Sequence, residues 1–502
     1  MESTMKKQTL RALSTLAALA ILAAAPLAGQ TTPNFTKYVS LGDSYGAGYS
    51  AGCLVDRNQK FSFSATLAHQ LGITDFQQPT VSDPGLPTCT GLKSLSPLTF
   101  GPISAKTGAP TNLALARAYD NLSVPGYKIA DVSDKLTDGG GAADLVLRGK
   151  GSALSQALSL SPTFVTLSVI VNDIGTVGLA GFMLDGVTVT PLPAFTAKFN
   201  SVAASLKANG RTGVFLSIPD LRLTPLISTL PPVVLDPATN KPLIVGGQTV
   251  PLLGPGNAKY PCPGGAAACP LPAGTLVSLA ANAPQAALGG KSLLGLGFGI
   301  PCAVAPALPQ CGKPLPDGSF TPPATVNAGV LFYPDEVDAI VQRILDMNAA
   351  IKAAATANGF QYFDLYALSQ DISANGRDFG GIHISKDFVT GGLFAYGDPV
   401  HLSNIGYTIL ADELIKFINS AYNVSVPRPD MSIALFTPDV PAAGTTGIGP
   451  VDTSLFFTEE TWRGLFEEFP LQDASMKVAL PAGEETRERA PVVLPGHRSP
   501  RD

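Results

Sequence analysis

From residue 35 onward, short apolar runs alternate with segments of helical periodicity. Residues 37–41 (KYVSL) have the length and composition of a strand, and 62–71 (SFSATLAHQL) carry apolar positions at helical spacing before Gly72. Residues 164–171 (FVTLSVIV) are rich in β-branched side chains, as a buried strand requires. A helix is predicted over 195–209, stopped by Gly210, and a strand over 214–218. Residues 335–358 form a long amphipathic helical pattern closed by Gly359 and followed by a strand over 361–365. A last helix is predicted over 404–421. Strands alternating with helices in this way predict an α/β fold, with a parallel sheet covered by helices on both faces.

Two stretches break the rhythm. Residues 222–330 are rich in Pro, Gly, Leu and Ala, poor in charge, and hold four of the six cysteines. A connection this long inside a compact domain is usually functional. A lid or substrate wall and a surface elaboration remote from any site both fit it. Residues 426–502 combine Glu/Arg clusters with prolines and little periodicity, which predicts a disordered tail. The expected organisation is therefore a leader over 1–29, a domain over 30–425 interrupted by the 222–330 insertion, and the tail.

Composition narrows the class. The chain has 502 residues, 45% hydrophobic and 14% charged, with a formal net charge of -5. That supports a large core. The acidic balance and the absence of long basic runs argue against a nucleic-acid partner. Lys6, Lys7 and Arg11 precede an apolar stretch over 16–25 and then Pro26-Leu27-Ala28-Gly29, the form of an export signal cut near Ala28 or Gly29. No later segment approaches the length of a membrane span, so no stable transmembrane anchor is expected. The expected product is an exported monomer, periplasmic or secreted. Six cysteines suit that compartment and suggest three local disulfides: Cys53–Cys89, Cys262–Cys269 and Cys302–Cys311. No C-x-x-C occurs and the four histidines are scattered, which argues against a metal site.

The stretch LGDSYGAGYSAG, residues 41–52, offers two candidate nucleophiles. Ser50 matches the G-x-S-x-G elbow pattern, but Gly46-Ala47-Gly48-Tyr49 before it is no strand. Ser44 directly follows Tyr38-Val39-Ser40-Leu41 through a Gly42-Asp43 turn, as an elbow demands. A serine also needs a base and a group to orient that base. His401 in Asp398-Pro399-Val400-His401 supplies both within one turn. His69 falls in a helical pattern, His383 is a competitor, and His497 lies in the tail. Developing oxyanion charge needs donors. Asn172 closes the strand candidate over 164–171, and Gly126 ends NLSVPG (121–126), where backbone can approach a ligand closely.

Taken in order, Gly42-Asp43-Ser44-Tyr45, NLSVPG, VIVNDIG and Asp398-Pro399-Val400-His401 resemble four sequence blocks of the SGNH/GDSL hydrolase family. The third block normally carries glycine where this chain has Ile170, a position concerned with packing more than chemistry. The resemblance covers about residues 36–422 and implies a flavodoxin-like three-layer α/β/α sandwich with about five parallel strands. It implies that Ser44 is the nucleophile, His401 the general base and acid, and Asp398 its orienting partner. The backbone N–H groups of Ser44 and Gly126, with the Asn172 side chain, would form the oxyanion hole. No metal or organic cofactor is implied. The expected activity is cleavage of a small-molecule or lipid carboxylic ester through an acyl-enzyme. A carbohydrate O-acetyl esterase, an acyltransferase and a non-catalytic exported binding protein retaining the fold are the alternatives.

Overall fold

The computed structural model describes residues 32–95, 98–169, 171–180, 183–208, 210–234, 241–255, 261–265, 268–279, 331–379, 381–388, 392–395, 397–437 and 439. The expected leader over 1–29, Cys302, Cys311, Ile170 and His497 lie outside them.

Four parallel strands form the central sheet in the spatial order β1 (Tyr38–Gly42), β2 (Phe164–Ser168), β3 (Thr212–Leu216), β4 (Gln361–Phe363). Every residue of β1, β2 and β3 is buried, which is why their sequences run apolar instead of alternating. Segment 121–124 runs parallel along the other edge of β1. It pairs by a bridge at Ser40–Asn121 and by N–H···O bonds from Leu122 to Ser40 (2.8 Å) and from Val124 to Gly42 (3.0 Å). With this segment counted, the strands lie in the chain order 2-1-3-4-5. That is a doubly wound sheet, in which the order reverses at β1 and ligands bind beyond the strands' carboxyl ends at that reversal.

Helices flank the sheet in two groups, compatible with three α/β/α layers. After α1 (Ser44–Ala47), α2 (Phe63–Gln70) packs against α8 (Asn404–Tyr422). The other group joins α3 (Ile129–Asp134), α4 (Ala153–Ser159), α5 (Leu192–Leu206) and α6 (Pro334–Asn358). Local signals set the ends: the Ser62 and Ser403 side chains accept from Ala65 N (3.1 Å) and Gly406 N (3.0 Å) as N-caps. Gly359 ends α6 in the left-handed conformation at φ 79°. The predicted elements therefore exist, with ends shifted by up to three residues. Helix α7 (Leu365–Asn375), begun by an Asp364 cap, is an addition; the strand expected over 361–365 ends at Phe363.

One boundary differs from expectation. The chain keeps packing past residue 425. Val426, Ala434 and Asp439 are buried, Arg428 grips Asp412 through two bonds (2.6 and 2.7 Å), and helix Met431–Leu435 lies against α8. Prolines and charges had hidden a short amphipathic segment held by ion pairs. Besides the short helix Pro225–Ser228, the described part of the insertion forms small hairpins. One of them, Leu253–Pro255 with Ala268–Pro270, carries the Cys262–Cys269 disulfide, which ties its loop to its second strand. The Cys53–Cys89 disulfide is also formed. Among the described residues, no helix is long and apolar enough to cross a membrane.

Candidate active site

β1 enters the site through Gly42, where a Cβ would lie 2.3 Å from Ser168 Oγ; only glycine lets β1 and β2 stay this close. Asp43 then caps α1. Its Oδ1 accepts from Tyr45 N (3.1 Å) and its Oδ2 from Val171 N (3.2 Å), joining the turn after β1 to the one after β2. Ser44 is thereby the first residue of α1, directly beyond the sheet's carboxyl edge.

His401 comes from the turn that precedes α8. Its Nε2 lies 3.0 Å from Ser44 Oγ, and its Nδ1 lies 2.8 Å from Asp398 Oδ2. Ser44 and His401 are both fully buried. The Asp398 carboxylate accepts from the backbone N–H groups of Val400 (3.1 Å), His401 (2.9 Å) and Gly52 (3.0 Å). Burial pushes this carboxyl up, but the neighbouring His401 charge and these hydrogen bonds outweigh it, so its pKa falls below the usual carboxylate range. Asp398 is therefore ionised and aimed at the imidazole.

Two further turns converge here. Val124-Pro125-Gly126-Tyr127 is closed by Tyr127 N donating to Val124 O (3.2 Å), with Gly126 at φ 79°, the third-position conformation that favours glycine. Asn172 lies in a turn four residues beyond the end of β2, not directly after the strand as the sequence suggested. Its Nδ2 donates to Tyr127 O (3.0 Å), so one amide hydrogen is anchored and the other remains for a ligand. Asp173 beside it accepts from Ile129 N (2.8 Å), and burial pushes its carboxyl up to about 6.

Ser50 is placed differently. Its Oγ donates to Leu402 O (3.0 Å), and its backbone pairs with Cys53. It belongs to a cradle for the Asp398–His401 turn that the sequence reading missed. In that cradle Tyr45 Oη donates to Val400 O (2.7 Å), Gly52 binds Asp398, and the Tyr49 ring faces the imidazole at 4.8 Å. These contacts span some 350 positions of sequence; the density of small residues after Ser44 was their only local trace. His69 is exposed on α2 beside Gln70, and His383 is exposed in a hairpin 2.8 Å from Asp378. Neither is hydrogen-bonded to the Ser44–His401 pair. Among the described residues, no group of three or more His, Cys, Asp or Glu could hold a metal ion.

No protein-family model matches the chain, and neither the curated proteins nor the solved structures contain a match to it.

Proposed function

We propose that the chain is an exported serine hydrolase of the SGNH/GDSL type that cleaves carboxylic esters. The observation that carries this reading is the relay Ser44 Oγ to His401 Nε2 at 3.0 Å and His401 Nδ1 to Asp398 at 2.8 Å. The five-segment strand order and the place of Ser44 beyond β1 support the corresponding three-layer fold.

In this mechanism Ser44 Oγ attacks the ester carbonyl as its proton passes to His401 Nε2. Asp398 stabilises the imidazolium and fixes its tautomer. The negative charge forming on the carbonyl oxygen is met by the Ser44 and Gly126 N–H groups and the free Asn172 amide hydrogen. Collapse expels the alcohol, which takes the proton from His401, and leaves an acyl group on Ser44. Water, deprotonated by His401, then attacks that acyl group and releases the acid.

Labelling of the purified protein with a fluorophosphonate, beside assays on p-nitrophenyl acetate, tests the reading. Wild type and Ser50→Ala are expected to label and turn over, and Ser44→Ala to do neither. A wild-type protein that neither labels nor hydrolyses the ester overturns it in favour of a non-catalytic binding protein.

A further inference from the structure

Asn172 and Asp173 grip the segment that carries Gly126 with bonds of opposite direction. Asn172 Nδ2 donates to Tyr127 O (3.0 Å), and Asp173 Oδ2 accepts from Ile129 N (2.8 Å). Two such bonds, two residues apart on one segment, fix both where it lies and how it is turned. Gly126 directly precedes Tyr127, so this clamp joins two of the three oxyanion donors to each other. Asp173 is itself held from behind. Its carbonyl accepts from Thr190 N (2.8 Å), just before α5, and α5 packs against α3, which Ile129 begins. The residue type matters as well. Asp173 is buried, and burial pushes its carboxyl up to about 6. Where it is ionised, it binds a backbone N–H more strongly than a neutral oxygen would.

We propose that Asp173 is a positioning residue of the oxyanion hole, holding the Gly126 N–H and the Asn172 amide at the separation the forming oxyanion requires. The proposal rests on the hydrolase reading and adds a residue outside the Ser44–His401–Asp398 relay. Oxyanion donors act by preorganisation, so a turn displaced by about 1 Å forfeits much of their effect. That loss falls on the transition state and not on substrate binding, so it lowers kcat and leaves KM in place.

The test is p-nitrophenyl acetate turnover by Asp173→Ala and Asp173→Asn, counted per site titrated with a fluorophosphonate so that misfolded protein drops out. In Asp173→Ala, kcat is expected to fall about 30- to 100-fold, with KM within about twofold of wild type. Asp173→Asn keeps an oxygen for Ile129 N and is expected to recover all but about threefold. Inhibition by a trifluoromethyl ketone, whose serine adduct puts an oxyanion in the hole, is expected to weaken by the same factor as kcat/KM. Ile129→Pro removes the donor instead of the acceptor and decides the matter if Asp173→Ala does not fold. Proline suits this first helical position, and Lys128 before it is already extended at ψ 167°. Its kcat is expected to fall at least about tenfold. A kcat within about threefold of wild type in the variant that folds overturns the proposal, as does a loss that leaves ketone inhibition unchanged. A wild type that neither labels nor hydrolyses the ester overturns the hydrolase reading, and the proposal with it.

Discussion

Ser50 donates its hydroxyl hydrogen to the carbonyl of Leu402, the residue after His401, at 3.0 Å. A serine in the better-known elbow pattern thus holds the backbone of the base's turn. Ser50→Ala leaves that buried carbonyl unpaired at a cost of about 1–3 kcal/mol. Thermal unfolding is expected at lower temperature, with phosphonate labelling retained and kcat reduced by less than about tenfold. Ser44→Ala is expected to lose about 10⁴-fold or more at unchanged stability.

Asp398 accepts four hydrogens: three from backbone N–H groups and one from the His401 ring N–H. An amide cannot receive all of them, so Asp398→Asn turns one NH₂ toward a donor and favours the wrong imidazole tautomer. A loss in kcat near 10⁴-fold is expected, with KM little changed. The depressed carboxyl also stabilises the fold above its unfolded pKa, a contribution lost as pH falls through the folded value. The variant is therefore less stable than wild type at neutral pH and approaches it in strong acid, as pH-dependent unfolding would reveal.

The two halves of this site differ in how far the sequence betrays them. Ser44 was legible because a short strand and a Gly-Asp turn lead straight into it, and Asp398 with His401 because both sit in one turn. Gly126 and Asn172 were legible as a Pro-Gly turn and a strand-end amide, although β2 stops at Ser168, short of Asn172. The cradle was not legible. The Gly52–Asp398 bond joins residues 346 positions apart and uses a backbone N–H that every non-proline residue owns. Packing of Val426, Ala434 and Asp439 was equally hidden, since the affinity of this segment for α8 rests on the Arg428–Asp412 pair, the Asp439–Asn404 bond and a few apolar positions.

The Cys53–Cys89 bond closes a loop of 36 residues, one position beyond the Gly52 N–H that binds Asp398. On the chain-entropy account, removing it costs about 4 kcal/mol. Cys53→Ala with Cys89→Ala is expected to lower the melting temperature and reduce kcat, with KM held. A reductant is expected to do the same to wild type, and in the double variant to act only through the remaining Cys262–Cys269 bond.

Asp439 is buried and accepts from Asn404 N (2.6 Å) at the start of α8. Burial, with the Asp398 charge nearby and Arg57 opposing, pushes its carboxyl up to about 7. Between the ordinary carboxyl range and that value the folded chain keeps a proton that the unfolded chain has released. Stability due to this group therefore falls as pH rises through that window and is constant above it. Asp439→Asn keeps an acceptor oxygen for Asn404 N and removes the charge. Its melting temperature is expected to match wild type near pH 4, to exceed it increasingly up to about pH 7, and to stay above it by a fixed margin beyond. A constant difference at every pH would show that Asp439 ionises in the folded chain as readily as in the unfolded one.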